Sequence, residues 1–181
     1  IDQFDKIKSL KWDEDYNPRY LEVSFSNTCN FKCAYCGPQY SSKWVEAIEE
    51  FGPYKYVDNF NDIEYYKQKN EFPYKKSEHN PYLVAFRQWW PTIFPDLYTF
   101  RITGGEPLLA KDTFTSLEYI RDNYKQNQQI SLAINTNLGV PDKLIDRFID
   151  LAEDLSNNNK VRELIVFSSI EAFGKQAEYT R

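Results

Sequence analysis

The chain alternates strand-like and helix-like segments along most of its length, and this alternation limits the folds open to it. Short runs of alternating apolar and polar residues are separated by segments with helical periodicity. The sequence predicts strands at 20–26, 98–103, 129–135 and 161–168. It predicts helices at 41–51, 81–93, 112–123 and 141–155, with another beginning near Gly174. Because strands alternating with helices form parallel βαβ units, the sequence predicts an α/β fold.

The number of units sets the architecture. Four units are visible in 181 residues, whereas a closed eight-unit barrel takes about 250 residues. The pattern therefore predicts a partial (β/α) barrel of parallel strands or an open doubly wound sheet. No later strand is available to pair with 161–168, and an exposed parallel edge is unfavourable. We expect one domain over 1–181, truncated at its C-terminus, with an irregular aromatic-rich insertion at about 53–80 and a short helix near 62–68.

Charge and hydropathy exclude some classes of partner. The net charge of −5 gives no bulk electrostatic reason to bind nucleic acid or a membrane surface, although a local basic groove for nucleic acid is compatible with it. No apolar run approaches the roughly 20 residues of a membrane-spanning helix. We expect no membrane partner.

The unusual motifs of the chain each follow a predicted strand. They are the loop 29–36, Gly104-Gly105-Glu106-Pro107, Asn135-Thr136-Asn137 and Ser168-Ser169-Ile170-Glu171. Active sites of parallel α/β proteins form at the carboxyl ends of the strands. The four motifs are therefore expected to meet at one site.

Cys29, Cys33 and Cys36 are the only cysteines of the chain, spaced CxxxCxxC. Three thiolates can hold one metal centre and leave a coordination position open for chemistry. Cysteines so few and so close do not form a disulfide framework, so we expect a reducing compartment, the cytoplasm. A zinc site is the alternative, but it needs a fourth ligand. The only histidine, His79, lies in a polar stretch 43 residues after Cys36, where a solvated surface position is the simpler interpretation.

The cysteine loop together with Gly-Gly-Glu-Pro resembles the radical S-adenosylmethionine (SAM) superfamily over residues 20–181. The ends of the third and fourth strands are similar to its SPASM/twitch branch, although Asn137-Leu138 replaces the usual Asn-Gly. The resemblance implies a partial-barrel core in which the three cysteines are catalytic and hold a [4Fe–4S] cluster. SAM would bind the free iron and be cleaved by one electron to a 5′-deoxyadenosyl radical, which abstracts hydrogen from a substrate.

The resemblance also implies a set of SAM contacts. The Gly104-Gly105 turn would bind the amino group with help from Glu106, and Tyr35 would lie near the adenine. The remaining predicted contacts, with the SAM carboxylate or ribose, are Asn137, Ser168, Ser169, Glu171 and Arg181. Packing of the loop is the alternative for Tyr35, and helix capping is the alternative for the residues at the ends of the third and fourth strands.

The resemblance leaves the substrate open, with a peptide or a small molecule favoured, and implies a one-electron donor such as flavodoxin or ferredoxin. The insertion at 53–80 would contact substrate, cover the cluster, or be a solvated excursion. Trp44, Trp89 and Trp90 would belong to the core or line a substrate pocket. The alternative functions are a binding or scaffold domain stabilised by an iron–sulfur cluster, which would not need an intact Gly104-Gly105-Glu106, and a zinc module.

Overall fold

Four parallel strands form a single sheet in the order β1-β2-β3-β4. A computed structural model describes residues 2–55, 61–74, 78–125, 128 and 130–181. The strands are β1 (Tyr20–Ser24), β2 (Thr99–Thr103), β3 (Ser131–Thr136) and β4 (Glu163–Ser168). This sheet confirms the predicted α/β class and is consistent with part of a (β/α) barrel.

The helices follow the strands as the periodicity predicted. They are α1 (Asp2–Ser9), α2 (Ser42–Phe51), α3 (Ile63–Gln68), α4 (Pro81–Ile93), α5 (Lys111–Asn123), α6 (Asp142–Asn157) and α7 (Gly174–Thr180). The predicted helices and strands have bounds within two residues of these, and α1 was not predicted. Within the described ranges, none of these helices is long and apolar enough to cross a membrane.

The main core lies on one face of the sheet. Alternate strand residues point into it and are fully buried: Phe100, Ile102, Leu132 and Ile134. They pack in one cluster with apolar side chains of α4, α5 and α6. Because side chains alternate along a strand, the neighbouring positions, such as Glu22 and Arg101, belong to the opposite face. In a partial barrel the helices pack on one face of the sheet, as here, whereas in a doubly wound sheet they pack on both faces.

Some side chains differ from what their place in a helix suggests. Phe51 has the helical spacing of the apolar face of α2, yet it is 77% exposed at the last position of that helix. Asp112 is a residue type that often caps a helix and begins the predicted helix 112–123, but it lies in the first turn of α5 and accepts hydrogen bonds from Arg87, while Ala110 occupies the cap position. Trp90 is buried in the core, as one interpretation held, but Trp89 is exposed.

The segment 53–80, which the sequence predicts to be an insertion, contributes to a second, smaller core. Residues 56–60 and 75–77 lie outside the described residues. In the described part, Ile63 of α3 packs with three buried residues of α2, namely Trp44, Val45 and Ile48. Cys36 and Phe72 pack against this cluster. Part of this segment therefore supports the helix that follows the cysteine loop.

Candidate functional site

A cavity of about 230 Å³ opens where the carboxyl ends of β2 and β3 meet the cysteine loop, residues 29–36. Nine of the twelve predicted site residues line it: Cys29, Cys33, Tyr35, Cys36, Gly104, Gly105, Asn137, Ser169 and Arg181. The other three, Glu106, Ser168 and Glu171, lie beyond the lining. Residues separated by up to 152 positions thus share one space, as expected where parallel strands end at the same edge.

The amino end of α2 holds the first half of the cysteine loop. The backbone N–H of Cys29 donates to Ser42 Oγ at 3.1 Å. Ser41 Oγ donates to the carbonyl oxygen of Phe31 at 2.7 Å and also accepts from the first turn of the helix. Two consecutive serines therefore join the start of the helix to the loop.

Trp44 holds the middle of the loop. Its indole Nε1–H donates to the carbonyl oxygen of Cys33 at 2.9 Å, and its ring is 6% exposed in the smaller core. A buried indole N–H needs a partner, and here the partner is the backbone of a cysteine. This residue has a structural role at the site rather than a place in a substrate pocket.

The carboxyl end of α7 holds the same loop from the other side. The backbone N–H of Ala34 donates to the carbonyl oxygen of Thr180 at 2.9 Å, and that of Lys32 donates to the carbonyl oxygen of Arg181 at 3.3 Å. Carbonyl groups at the end of a helix lack helical partners. The loop therefore supplies donors that the last turn of α7 needs.

The three cysteines are free thiols, and each is partly buried. Burial raises the pKa of the Cys29 and Cys36 thiols above their ordinary value. Because metal ligation requires thiolates, loading a metal centre here would release protons.

The three thiols line one cavity. Within the described ranges, no group of three or more His, Cys, Asp or Glu side chains is arranged to hold a single metal ion. Three cysteine sulfurs are a donor set that can hold an iron–sulfur cluster and leave one iron open.

The Gly104-Gly105 turn packs directly against the cysteine segment. Gly104 has φ 112°, a left-handed conformation that favours glycine. A Cβ on Gly105 would lie 2.4 Å from the carbonyl oxygen of Thr28. The backbone N–H of Gly105 donates to the carbonyl oxygen of Ser26 at 3.1 Å, and that of Glu106 donates to the carbonyl oxygen of Thr28 at 2.8 Å. Both glycines are therefore required by the close approach of two strand ends.

The carboxylate of Glu106 points into the protein and is 1% exposed. Its Oε1 accepts from the backbone N–H of Leu108 at 3.0 Å and from Thr136 Oγ1 at 2.6 Å. Its Oε2 accepts from the backbone N–H of Asn137 at 2.7 Å. Glu106 therefore joins the ends of β2 and β3, and its predicted help to the Gly104-Gly105 turn in binding SAM stays a prediction.

Asn137 continues this network into the cysteine loop. Its Nδ2 donates to Asn30 Oδ1 at 3.0 Å, and its Oδ1 accepts from the backbone N–H of Gly139 at 2.7 Å. Asn30 Nδ2 in turn donates to the carbonyl oxygen of Gly139 at 2.8 Å. Leu138, which replaces the usual glycine, takes φ 57°, so the turn keeps a glycine-like backbone.

Tyr35, Glu171 and Arg181 form a polar cluster at the rim. Tyr35 OH donates to Glu171 Oε1 at 2.8 Å, and Arg181 Nη2 pairs with Glu171 Oε2. The hydrogen bond from Tyr35 and the nearby guanidinium lower the pKa of Glu171. Burial and the same hydrogen bond raise the pKa of Tyr35. Glu171 thus orients two residues that do line the cavity.

The two serines at the end of β4 differ in position. The backbone N–H of Ser169 donates to the carbonyl oxygen of Thr136 at 2.9 Å, and Ser169 lines the cavity. Ser168 is the last residue of β4 and is exposed.

Sequence reasoning missed four residues that shape the site. They are Asn30, Ser41 and Ser42, together with Trp44, for which only a core or pocket position was predicted and not its role in positioning the cysteine loop. A serine before an apolar helical run is a recognisable capping signal, so Ser41 was open to prediction. The side-chain contacts of the other three depend on how the loop folds, which no spacing reveals.

The chain is similar to several proteins named GTP 3′,8-cyclase. That of Campylobacter jejuni subsp. doylei is 32% identical over 141 residues, which cover 76% of this chain and 30% of the relative. Those of a Sulfurovum species and Aliarcobacter butzleri are 33% and 30% identical over 118 residues, or 65% of this chain. The chain spans at most 30% of the length of these curated relatives. No family model matches, and neither does any solved structure.

These relatives bear on the predicted class and cofactors. GTP 3′,8-cyclases are radical SAM enzymes that use [4Fe–4S] clusters and SAM. The similarity supports the expectation of an enzyme and of these two cofactors, and leaves the SPASM/twitch branch untested. Together with the CxxxCxxC loop and the Gly-Gly-Glu-Pro turn, it supports membership of this chain in the radical SAM superfamily.

Proposed function

We propose that residues 1–181 are the core domain of a radical SAM enzyme, with 53–80 as an insertion. Cys29, Cys33 and Cys36 would hold three irons of a [4Fe–4S] cluster, and SAM would complete the fourth. The observation that carries this proposal is the shared cavity, which the three thiols and the Gly104-Gly105 turn both line. The turn forms part of the cavity wall beside the thiols, so a second ligand bound next to a cluster would contact its backbone.

The residues around the cavity suggest distinct tasks. The Gly104-Gly105 backbone would receive the SAM amino group, because it lines the cavity beside the three thiols. Asn137, Ser169 and Arg181 offer polar groups for the carboxylate and ribose, and the Tyr35 ring offers a surface for the adenine. The buried Glu106 would act as a positioning residue.

Glu171 and Ser168 lie beyond the lining and would act differently. Glu171 would hold Tyr35 and Arg181 in place through its two carboxylate oxygens. Ser168 is assigned no contact beyond its place at the end of β4.

The bound cofactors would supply the radical chemistry, in which one electron delivered through the cluster cleaves SAM to a 5′-deoxyadenosyl radical that takes hydrogen from the substrate. A one-electron donor such as flavodoxin or ferredoxin would be required. Free thiols and a cluster fit a reducing compartment such as the cytoplasm. The substrate we propose is a peptide or a small molecule, and the relatives' name adds GTP to the candidates to be tested. The subgroup we propose is the SPASM/twitch branch.

Anaerobic reconstitution tests the proposal. The protein is loaded with iron and sulfide, its iron and acid-labile sulfide are measured, and SAM and a strong reductant are added. We expect about four irons and four sulfides per chain and release of 5′-deoxyadenosine. Cys33→Ala is the control and should lose the cluster, because two thiolates remain.

Each alternative gives a different result. A cluster that never cleaves SAM would support the binding or scaffold domain and reject the enzyme. Zinc without sulfide would support the zinc module. Mass spectrometry of the wild-type reaction with GTP, or with candidate peptides, would then identify the substrate.

A further inference from the structure

Within the described residues, no helix of the main core covers the second face of the sheet, which we call the open face. An all-parallel sheet is normally covered on both faces, yet here the main core lies on one face only. The open face carries Glu22 and Arg101 in neighbouring register positions, and Asn135 and Phe167 in neighbouring positions nearer the carboxyl ends. In a partial barrel this is the inner wall. A charged residue in the middle of a central strand therefore needs an explanation.

Arg101 leans toward the carboxyl ends of its neighbours. Its Nε donates to Asn135 Oδ1 at 3.1 Å, two residues beyond Ala133, its partner in the register. Its guanidinium lies 5.1 Å from the centre of the Phe167 ring on β4. The side chain is 33% exposed. The side chain of Arg101 thus extends from β2 across β3 toward β4, where the guanidinium lies over an aromatic ring and remains partly exposed to solvent.

This position adjoins the cysteine-lined cavity. Asn135, which accepts the hydrogen bond from Arg101, also lines that cavity together with Thr103 and Gly104. Arg101 is two residues before Thr103 on the same face of β2. A molecule reaching from the cavity onto the inner wall would meet the guanidinium.

The acidic neighbour of Arg101 has a closer partner. Glu22 Oε2 accepts from Tyr20 OH at 2.6 Å, toward the amino end of β1. It stands 3.9 Å from Arg101 Nε, beyond hydrogen-bond distance, and a loose, partly exposed pair of this kind stabilises a protein little. The guanidinium contacts Asn135 through Nε and also interacts with Tyr20. Its two Nη groups carry four N–H donors, more than these contacts use.

The charge of this wall selects among anions. Glu22 only partly offsets the charge of Arg101, and Arg162 pairs with Glu163 at the amino end of β4. A polyphosphate carries several negative charges and needs several cationic partners, whereas Arg101 supplies one. A single carboxylate matches one guanidinium in size, charge and bidentate geometry.

We infer that Arg101 binds a carboxylate group of the substrate, a role that rests on the proposed function. The Phe167 ring and Asn135 hold the guanidinium in place through a cation–π contact and a hydrogen bond to Nε, and its Nη groups would pair with the incoming carboxylate. The substrate class is therefore a carboxylate-bearing small molecule or peptide rather than a nucleoside triphosphate. Arg101 would determine specificity without touching SAM.

A pair of probes that differ in one group tests this inference. N-acetyl-L-phenylalanine carries a carboxylate, and N-acetyl-L-phenylalaninamide carries a neutral amide in its place. Dissociation constants for both are measured by ligand-detected NMR on the reconstituted protein with SAM. We expect the carboxylate to bind at least about tenfold tighter, as charge-assisted pairing allows. Arg101→Gln should remove the difference, and Arg101→Lys should retain part of it.

Controls separate this result from misfolding and from the radical proposal. Arg162→Gln removes an exposed guanidinium at the far end of the sheet and should leave the preference unchanged. Thermal unfolding checks each variant, and Arg101→Lys decides the matter if Arg101→Gln does not fold. Binding is read directly, so the outcome does not depend on whether 5′-deoxyadenosine forms.

Three results would overturn the inference. The first is a wild-type protein that shows no preference for the carboxylate, or binds neither probe. The second is a preference that survives in Arg101→Gln. The third is tripolyphosphate binding more tightly than the carboxylate in an Arg101-dependent manner, which would assign this wall to a nucleotide instead.

Discussion

Replacing Glu106 by glutamine should destabilise the protein far more than its small chemical change suggests. The carboxylate receives three donors, two at Oε1 and one at Oε2, and it is 1% exposed. Glutamine has one amide oxygen and one NH₂ group. Its oxygen can serve only one of the two positions, so the NH₂ group must occupy the other.

Each orientation of the substituted amide leaves a conflict. With the oxygen at the Oε1 position, the NH₂ group faces the backbone N–H of Asn137, which lies 2.7 Å from Oε2 in the wild type. In the opposite orientation it faces the backbone N–H of Leu108, 3.0 Å from Oε1. In either orientation, one hydrogen bond to a charged group is lost and one buried backbone N–H faces another donor, the NH₂ group of glutamine. Losing such a bond costs about 1.5 to 3 kcal/mol, so we expect a total of about 3 kcal/mol.

Thermal unfolding of the metal-free protein, followed by circular dichroism under anaerobic conditions, measures this effect. For a chain of this length, 3 kcal/mol corresponds to a fall in Tm of about 6 to 12 °C. Glu118→Gln is the matched control, because Glu118 forms an exposed ion pair with Arg147. It should cost under about 1 kcal/mol. If the two variants unfold within about 2 °C of each other, a difference too small for the expected energies, the assignment of Glu106 as a buried junction is refuted.

Three other variants test the supports of the cysteine loop. Gly105→Ala should prevent cluster assembly, since its Cβ would lie 2.4 Å from a backbone oxygen; normal iron content would contradict this. Trp44→Phe keeps an aromatic ring but loses the bond to Cys33, so iron should be removed by a chelator several-fold faster. Asn30→Ala loses two hydrogen bonds and should release iron faster in the same assay; wild-type rates would exclude either role.

The sequence predicts the fold well because its signals are local. Periodicity places the strand ends, and parallel geometry then brings Cys29, Gly105 and Asn137 to one cavity. Direction is harder to predict than position. The Gly-Gly-Glu-Pro motif places Glu106 in the turn after β2. Its carboxylate points into the protein because Thr136 and Asn137 at the end of β3 donate hydrogen bonds to it, and the motif does not contain that information.

Side-chain direction also explains the remaining failures. Phe51 fits the apolar period of α2, but the described neighbours leave it exposed at the end of the helix. Arg101 looks like an ordinary polar position of a strand. Its bond to Asn135 and its stacking on Phe167 involve two other strands, and no pattern within β2 contains that information.

The hydrogen bonds from the cysteine loop to the last turn of α7 have a consequence for synthesis. The backbone acceptors at Thr180 and Arg181 are made 144 and 145 residues after Cys36. At about 5 to 20 residues per second, roughly 7 to 30 s pass before they exist. During that interval the cysteine loop lacks the contacts that the last turn of α7 supplies. We therefore expect the loop to take its final shape, and to load iron, only after residues 180 and 181 have been made.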